Sequence, residues 1–162
     1  MPPKKQKDFS DNSVYNFYEN AEVKKLLPQY ENPNYEVHGR NIPFRMGVVS
    51  PSGSGKTTFI LNLISKMSDT FGYITVLYKT SEPLYQFLEK KIGCKNITFL
   101  SKLSDLPQPN DIEHKDTQQL IIFDDQVNET DQAQGIIKEY FLRCRKIGKG
   151  ISLAYLSQSY KI

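Results

Sequence analysis

One short stretch of the chain combines glycine, lysine and hydroxyl side chains in an order that binds phosphate. Residues 50–57 read Ser-Pro-Ser-Gly-Ser-Gly-Lys-Thr, which fits the pattern GxxxxGK[S/T] at every fixed position except the first. Gly53 and Gly55 permit backbone conformations in which successive N–H groups point at phosphate oxygens. Lys56 adds a positive charge for the β- and γ-phosphates, and Thr57 offers a hydroxyl to Mg²⁺. These residue types predict a loop that binds a nucleotide.

The surroundings of this loop decide between a phosphate site and an ordinary glycine–serine turn. An apolar strand is predicted over residues 44–49, directly before the loop, and an amphipathic helix over 57–67, directly after it. A strand, a loop and a helix in that order place the positive end of the helix against the anion. Ser50 departs from the pattern, and its Cβ is expected to crowd the start of the turn only slightly. The predicted phosphate-binding residues are Ser52, Gly53, Ser54, Gly55, Lys56, Thr57 and Thr58.

Two adjacent acids supply the carboxylates that such a loop requires. Residues 120–125 read Leu-Ile-Ile-Phe-Asp-Asp, in which four apolar residues of a buried strand precede the acids. Asp124 is predicted to hold Mg²⁺ through its water shell, and Asp125 to orient or deprotonate the attacking water. The pair indicates hydrolysis rather than binding alone. The plainer alternative is that both acids merely solvate the end of a strand.

Three further side chains are candidates for catalysis. Gln158 follows a strand predicted over 151–156, so a parallel sheet places its amide at the same edge as the loop, where it can sense the γ-phosphate. A polar residue that simply ends a strand is the alternative. Arg143 and Arg145 lie at the end of a helix, where one is a candidate arginine finger for a neighbouring subunit's nucleotide. Helix capping and surface charge are equally good interpretations of each arginine.

The elements that position these residues alternate between short apolar runs and amphipathic segments, which is typical of βαβ units and a parallel sheet. We therefore predict an α/β fold, a three-layer P-loop NTPase domain with a mainly parallel central sheet of about five strands. In the helix predicted over 82–91, Leu84, Phe87 and Leu88 are expected to face inward. The predicted strands are 44–49, 73–78, 96–100, 120–124 and 151–156, and the helices are 57–67, 82–91 and 130–146.

Length and composition favour one globular domain. The chain has 162 residues, of which 38% are hydrophobic and 24% charged, with a net charge of +3. We predict a flexible basic tail over residues 1–12, an N-terminal helical and linker segment over 13–40 with a helix at 14–27, and the P-loop domain over 41–162. No apolar run is long enough to span a membrane and the N-terminus is polar, so we expect an intracellular protein. Cys94 and Cys144 form no CxxC pair and are expected to be buried.

With these residues placed, the chain resembles the genome-packaging ATPases of large DNA viruses and virophages, a viral branch of the FtsK–HerA P-loop superfamily. The resemblance covers nearly everything from about Pro43 onward. It rests on the loop itself and on more particular stretches: Pro43-Phe44-Arg45, Glu82-Pro83-Leu84-Tyr85, Phe123-Asp124-Asp125, Arg143 with Arg145, and Leu156-Ser157-Gln158-Ser159-Tyr160.

The resemblance implies a motor that hydrolyses ATP with Mg²⁺ and threads double-stranded DNA into a viral capsid. It implies a homo-oligomeric ring, contacts with capsid proteins, and action in the host cytoplasm or virus factory or in association with the virion. It suggests Lys56 and Thr57 for ATP and Mg²⁺, Asp124 and Asp125 for the metal and the water, and Gln158 as the sensor. Because such ATPases usually continue well beyond the position of Gln158, a C-terminally truncated form of the fold is expected. No single basic stripe identifies the residues that contact DNA.

Other classes of P-loop protein fit the sequence less well. A small-molecule kinase normally carries an arginine-bearing lid, whereas residues 101–119 contain no arginine. A GTPase needs an Asn-Lys-x-Asp segment after a strand, and the sequence has none. Another P-loop ATPase and a non-catalytic, nucleotide-switched docking module remain alternatives, and phosphate release measured with and without double-stranded DNA separates them.

Overall fold

The computed structural model describes Val14 and residues 16–92, 96–126 and 130–158. The basic tail predicted over residues 1–12 lies outside these residues, as do Cys94, Ser159 and Tyr160. Within them, Cys144 is buried, and no helix is long and apolar enough to cross a membrane.

The described residues form five β-strands and five α-helices, and an α-helix follows the first, second and fourth strands. The strands are β1 (Arg45–Val49), β2 (Tyr73–Leu77), β3 (Ile97–Leu100), β4 (Gln119–Asp124) and β5 (Ile151–Ser157). The helices are α1 (Ala21–Leu26), α2 (Tyr35–His38), α3 (Lys56–Lys66), α4 (Pro83–Ile92) and α5 (Asp131–Arg143). Short 3₁₀ turns occur at Phe17–Glu19, Leu103–Asp105, Pro109–Asp111 and Cys144–Lys146.

All five strands pair in parallel, in the order β1-β5-β4-β2-β3. The register sets Val49 beside Ser157 and Asp124 beside Leu156, so β1, β4 and β5 end at the same edge of the sheet. Parallel strands expose their carboxyl ends to one crevice, which is the usual position of a ligand in an open α/β sheet. The predicted phosphate loop and acid pair therefore share one edge.

Apolar side chains cover both faces of the sheet, which makes a three-layer structure. On one face, Ile60 and Ile64 of α3 and Leu88 of α4 pack with the strands. On the other face, Ile137 and Tyr140 of α5 form a second core with further strand residues. Strands buried on both faces read as continuous apolar runs, and every residue of β4 and β5 is buried. The predicted α/β fold with a parallel sheet is confirmed.

The prediction of one continuous helix over residues 14–27 is wrong. Asn20 has an extended backbone, and its side chain accepts hydrogen bonds from the N–H groups of Glu22 and Val23, so it caps α1 and separates it from the preceding 3₁₀ turn. Asparagine favours this capping position because its side-chain oxygen satisfies N–H groups that a helix start leaves free. Residues 32–40, which belong to the segment predicted as helical and linker over 13–40, contain the single turn of α2.

The inward face predicted for the second long helix is also wrong in part. Leu88 is buried as expected, but Leu84 is 37% and Phe87 is 55% exposed. The residue that takes their place is Tyr85, which is 2% exposed. The face of α4 that packs on the sheet therefore carries a phenol, which reaches the functional site described below.

Candidate functional site

The loop between β1 and α3 depends on two glycines at its sharpest points. Gly53 has φ of 74° and Gly55 has φ of 90°, both in the left-handed region that other L-residues seldom occupy. Gly55 is also the N-cap of α3, with no side chain to fill the space in front of the helix. The loop thus directs the N-terminal N–H groups of α3 toward open space, as an anion site at a helix N-terminus requires.

Serine is accommodated at position 50, where the pattern calls for glycine. Ser50 is not among the described residues with positive φ, so this position needs no glycine conformation. The Ser54 hydroxyl donates to the Pro51 carbonyl at 2.5 Å, and the Ser50 hydroxyl lies 2.6 Å from the Ser54 oxygen, to which it can donate. The Ser50 N–H donates to the Ser157 carbonyl at 3.1 Å. Ser50 therefore links the loop to β5 instead of crowding it.

The Lys56 ammonium closes the loop from within. It donates to the Ser50 carbonyl at 2.8 Å and to the Pro51 carbonyl at 3.0 Å. These carbonyls hold the cation beside the turn, at the start of α3. A lysine placed there at the mouth of a glycine-rich loop can reach the terminal phosphates of a nucleotide.

A cavity of about 260 Å³ opens in front of the loop. The structure brings together nine of the predicted site residues along its wall: Ser52, Gly53, Gly55, Lys56, Thr57, Thr58, Asp124, Asp125 and Gln158. Ser54, which was also predicted to bind phosphate, is not among the lining residues, and its hydroxyl bonds within the loop.

The sequence reasoning missed four residues that line the same cavity. They lie between the end of β2 and the first turn of α4, and they are Lys79, Thr80, Glu82 and Leu84. Because β2 ends at the same edge as β4, its C-terminal extension meets the cavity. Their position shortly after a parallel strand indicates that they lie at the edge of the sheet that holds the loop. We used this rule for the residues after β4 and β5 but not for those after β2.

The Asp124 carboxylate is buried at the end of β4. Its side chain is 8% exposed, and Oδ2 accepts a hydrogen bond of 2.5 Å from the Tyr85 hydroxyl. Burial is the largest influence on the pKa of Asp124 and raises it, and the negative charges of Glu82 and Asp125 raise it further. The hydrogen bond from Tyr85 lowers this pKa, and the positive charge of Lys56 lowers it by a smaller amount. The ionised carboxylate is therefore short of positive charge, and a divalent cation bound beside it would supply that charge.

The Thr57 hydroxyl and the Asp124 carboxylate are chemically suitable ligands for Mg²⁺ or for its water shell. Both are oxygen donors, Thr57 is only 9% exposed, and both side chains line the cavity. The described residues contain no group of three or more His, Cys, Asp or Glu side chains that could hold a metal ion alone. Mg²⁺ is commonly held by one or two carboxylates together with substrate phosphates, so this sparse donor set fits a metal that enters with a nucleotide.

Asp125 has a strained backbone and a partner on β5. Its φ is 57°, which is uncommon for a residue other than glycine. The conformation is held by its N–H, which donates to the Leu156 carbonyl at 3.0 Å. Its Oδ2 accepts from Gln158 Nε2 at 2.8 Å. Strain of this kind is often found at functional sites, and here it turns the side chain of Asp125 into the cavity instead of along the strand.

Arg143 and Arg145 do not join this cavity. Arg143 is the last residue of α5 and Arg145 lies in the 3₁₀ turn that follows it. The chain then leads to the beginning of β5, so both arginines lie toward the edge of the sheet opposite the loop. Arg143 Nε pairs with Glu139 Oε2 at 2.7 Å on the same helix. Neither arginine lines the cavity of its own chain. A catalytic role for either therefore requires a second subunit.

Comparisons with known proteins give a family for the chain. A family model described as "Poxvirus A32 protein" matches residues 35–162. A search of individual curated proteins found no match by sequence. A solved structure of the pCW3 conjugation coupling protein TcpA, a monomer form with ATPgS, is similar over 72% of this chain and 43% of its own, with 11% identity and a TM-score of 0.47. A prototypical ATPase from the type III secretion system of pathogenic bacteria is similar over 73% of this chain and 45% of its own, with 14% identity and a TM-score of 0.40. The chain thus spans less than half the length of either solved structure.

Proposed function

The chain belongs to the poxvirus A32 protein family, and on that premise we propose that it is an ATPase that drives double-stranded DNA into a viral capsid. Membership confirms the resemblance to viral genome-packaging ATPases of the FtsK–HerA class. Nucleotide binding follows from the family and the P-loop. The identity of the nucleotide as ATP, the use of Mg²⁺ and the coupling to DNA are parts of the proposal.

One observation carries the proposal: the phosphate loop, the buried Asp124 and the strained Asp125 face a single cavity at the carboxyl edge of the sheet. Binding alone would need only the loop. Asp125 adds a partly exposed carboxylate to the cavity wall, and Gln158 fixes its orientation through the 2.8 Å hydrogen bond. A fixed carboxylate can orient a water and accept its proton, which is the role required for hydrolysis.

Each residue then has a distinct task. The N–H groups of the loop and the Lys56 ammonium bind the β- and γ-phosphates, while Thr57 and Asp124 hold Mg²⁺. When bound, Mg²⁺ neutralises charge on the phosphates during transfer. Asp125 positions the attacking water. Gln158, which directly follows β5, senses whether the terminal phosphate is present. Ser52 and Thr58, at the wall of the cavity, contribute further hydrogen bonds to the phosphates.

The remaining partners follow from the family and belong to the same proposal. The active form is a homo-oligomeric ring around double-stranded DNA, docked on viral capsid proteins. It acts inside the host cell, in the cytoplasm or virus factory, and can stay associated with the virion. Arg143 and Arg145 are candidates for reaching the nucleotide of a neighbouring subunit, since neither lines its own cavity.

Steady-state phosphate release from ATP, measured with and without double-stranded DNA, tests the proposal. We expect turnover that DNA stimulates and that Lys56→Ala abolishes, whereas Lys66→Ala, an exposed lysine at the other end of the same helix, leaves turnover unchanged. A rate of phosphate release that does not change when DNA is added would indicate an ATPase with another function. Nucleotide binding without turnover would indicate a docking module, and both results would contradict the proposal.

Mixing experiments test the arginines. Arg143→Ala or Arg145→Ala is combined with Asp125→Ala, so that an intact arginine and an intact Asp125 can meet only across a subunit boundary. Recovered turnover in the mixture identifies the arginine that acts in trans. Lys146→Ala, which removes a neighbouring exposed cation, is the matched control. Absence of recovery in every mixture would refute the trans role.

A further inference from the structure

Tyr85 joins α4 to Asp124, one of the two side chains that are proposed to hold the metal. We infer that Tyr85 is a positioning residue, whose hydroxyl fixes the Asp124 carboxylate so that its second oxygen stays available to the shell of the metal. This inference rests on the proposed function of the same cavity.

The geometry places the phenol where it can act. Tyr85 is 2% exposed, and its hydroxyl donates to Asp124 Oδ2 at 2.5 Å. A single oxygen atom on α4 thus contacts the acid at the end of β4.

The ring itself is fixed by packing. Its centroid lies 5.9 Å from that of Tyr78 and 6.0 Å from that of Phe99, both on the sheet side of α4. A side chain held in this way has little freedom to follow Asp124 if the carboxylate rotates. The hydrogen bond therefore orients the acid against a rigid support, as outer partners of metal ligands commonly do.

The phenol is suited to this task because it stays a neutral donor. A tyrosine hydroxyl has an ordinary pKa of about 10, so it is neutral at pH 7. The hydroxyl consequently keeps its proton and leaves the negative charge on Asp124. A lysine or arginine at the same place would neutralise the carboxylate and compete with a bound cation.

A purely structural role predicts a different result. A core tyrosine whose hydroxyl merely takes the nearest acceptor would affect folding stability but not the metal. Tyr140 provides the comparison, since it is fully buried and its hydroxyl donates to the Pro107 carbonyl at 2.8 Å, away from the cavity. Tyr85→Phe and Tyr140→Phe each remove one buried hydroxyl and keep the ring.

The test measures the affinity of each folded variant for a non-hydrolysable ATP analogue, in EDTA and in saturating Mg²⁺. The ratio of the two affinities is the gain due to the metal. For Tyr85→Phe we expect an unchanged affinity in EDTA and a gain reduced about 10-fold or more, the typical effect of losing an outer partner of a metal ligand. For Tyr140→Phe we expect the wild-type gain.

An unchanged gain in Tyr85→Phe would overturn the inference, while wild-type protein that binds no nucleotide in either buffer would overturn the proposed function instead. Asp124→Asn gives a second test. If Tyr85 acts through Asp124, adding Tyr85→Phe to Asp124→Asn produces no further loss of the gain. Equal further loss in the double variant would show that Tyr85 acts elsewhere. Because the double variant carries no unpaired buried carboxylate, it is expected to fold even where Tyr85→Phe alone is unstable.

Discussion

Replacing Asp124 with asparagine is expected to make the protein more stable and less active. The side chain is 8% exposed, and burial holds its pKa above the ordinary value of 3.8. The folded protein therefore binds this proton more tightly than the unfolded chain does. It follows that the free energy of unfolding falls as the pH rises from about 3.8 through the folded-state pKa, because the buried group must then ionise.

The contacts of Asp124 set the expected size of this gain in stability. Asparagine keeps a carbonyl oxygen that can accept the Tyr85 hydrogen bond, so the substitution removes the buried charge and little else. Relief of one unfavourable buried group commonly stabilises a protein by about 0.5–2 kcal/mol. For a chain of this size, about 1 kcal/mol shifts the Tm by roughly 2–4 °C. The gain is expected in full at neutral pH and should vanish below the ordinary pKa of the carboxyl.

Thermal unfolding followed by circular dichroism at neutral pH and again at acidic pH measures this gain. Asp105→Asn is the control, since it makes the same change at an exposed acid and should leave the Tm unchanged at both pH values. Phosphate release should fall about 100-fold or more in Asp124→Asn, because charge stabilisation by a bound metal contributes several kcal/mol. A lower Tm for Asp124→Asn at neutral pH would refute the reasoning, since it would mean that the ionised carboxylate stabilises the fold.

Three other substitutions separate the parts of the site. Gly55→Ala puts a Cβ at φ of 90° with nothing within 4 Å of it, so denaturant unfolding should show a loss of about 1–2 kcal/mol from backbone strain alone, and nucleotide affinity should fall with it. Asp125→Asn keeps a side chain that tolerates the left-handed backbone and should retain nucleotide binding, while phosphate release drops about 100-fold or more from loss of the base. Gln158→Ala removes the 2.8 Å bond to Asp125; turnover should fall while stability changes by less than about 0.5 kcal/mol, because the side chain is exposed.

The positions of strands and of their carboxyl ends were predictable from the sequence. Apolar runs such as residues 120–123, bounded by polar residues, mark buried parallel strands, and each predicted strand lies within a residue or two of an observed one. Once the strands are parallel, residues that follow them must share an edge. The sequence alone therefore predicts Asp124 and Gln158 beside the phosphate loop, and both line the cavity.

The buried face of α4 was harder to predict, because one of its buried residues, Tyr85, has both an apolar ring and a polar hydroxyl. Counting apolar residues gave Leu84 and Phe87 as inward together with Leu88, whereas Tyr85 and Leu88 are the residues that are buried. A tyrosine can enter a core when its hydroxyl finds a partner, and that partner, Asp124, lies 39 positions away in sequence. Periodicity within one helix carries no information about such a contact.

The break in the N-terminal helix and the roles of the two arginines were also not predictable from apolar spacing. Asn20 ends one helical segment by bonding to its own backbone neighbours, an effect that apolar spacing does not register. The roles of Arg143 and Arg145 depend on a subunit that one chain does not contain. Both arginines lie outside their own cavity, so neither sequence nor a single chain assigns them.

The affinity of Lys56→Ala for ATP with Mg²⁺, set against wild type and Lys66→Ala, tests the central claim most directly. Loss of one charged hydrogen-bonding group is worth about 1.5–3 kcal/mol, so affinity should fall by roughly 10- to 100-fold while Lys66→Ala matches wild type. Equal affinity in all three proteins would contradict the account, because the ammonium between Ser50 and Pro51 would then not contact the phosphates.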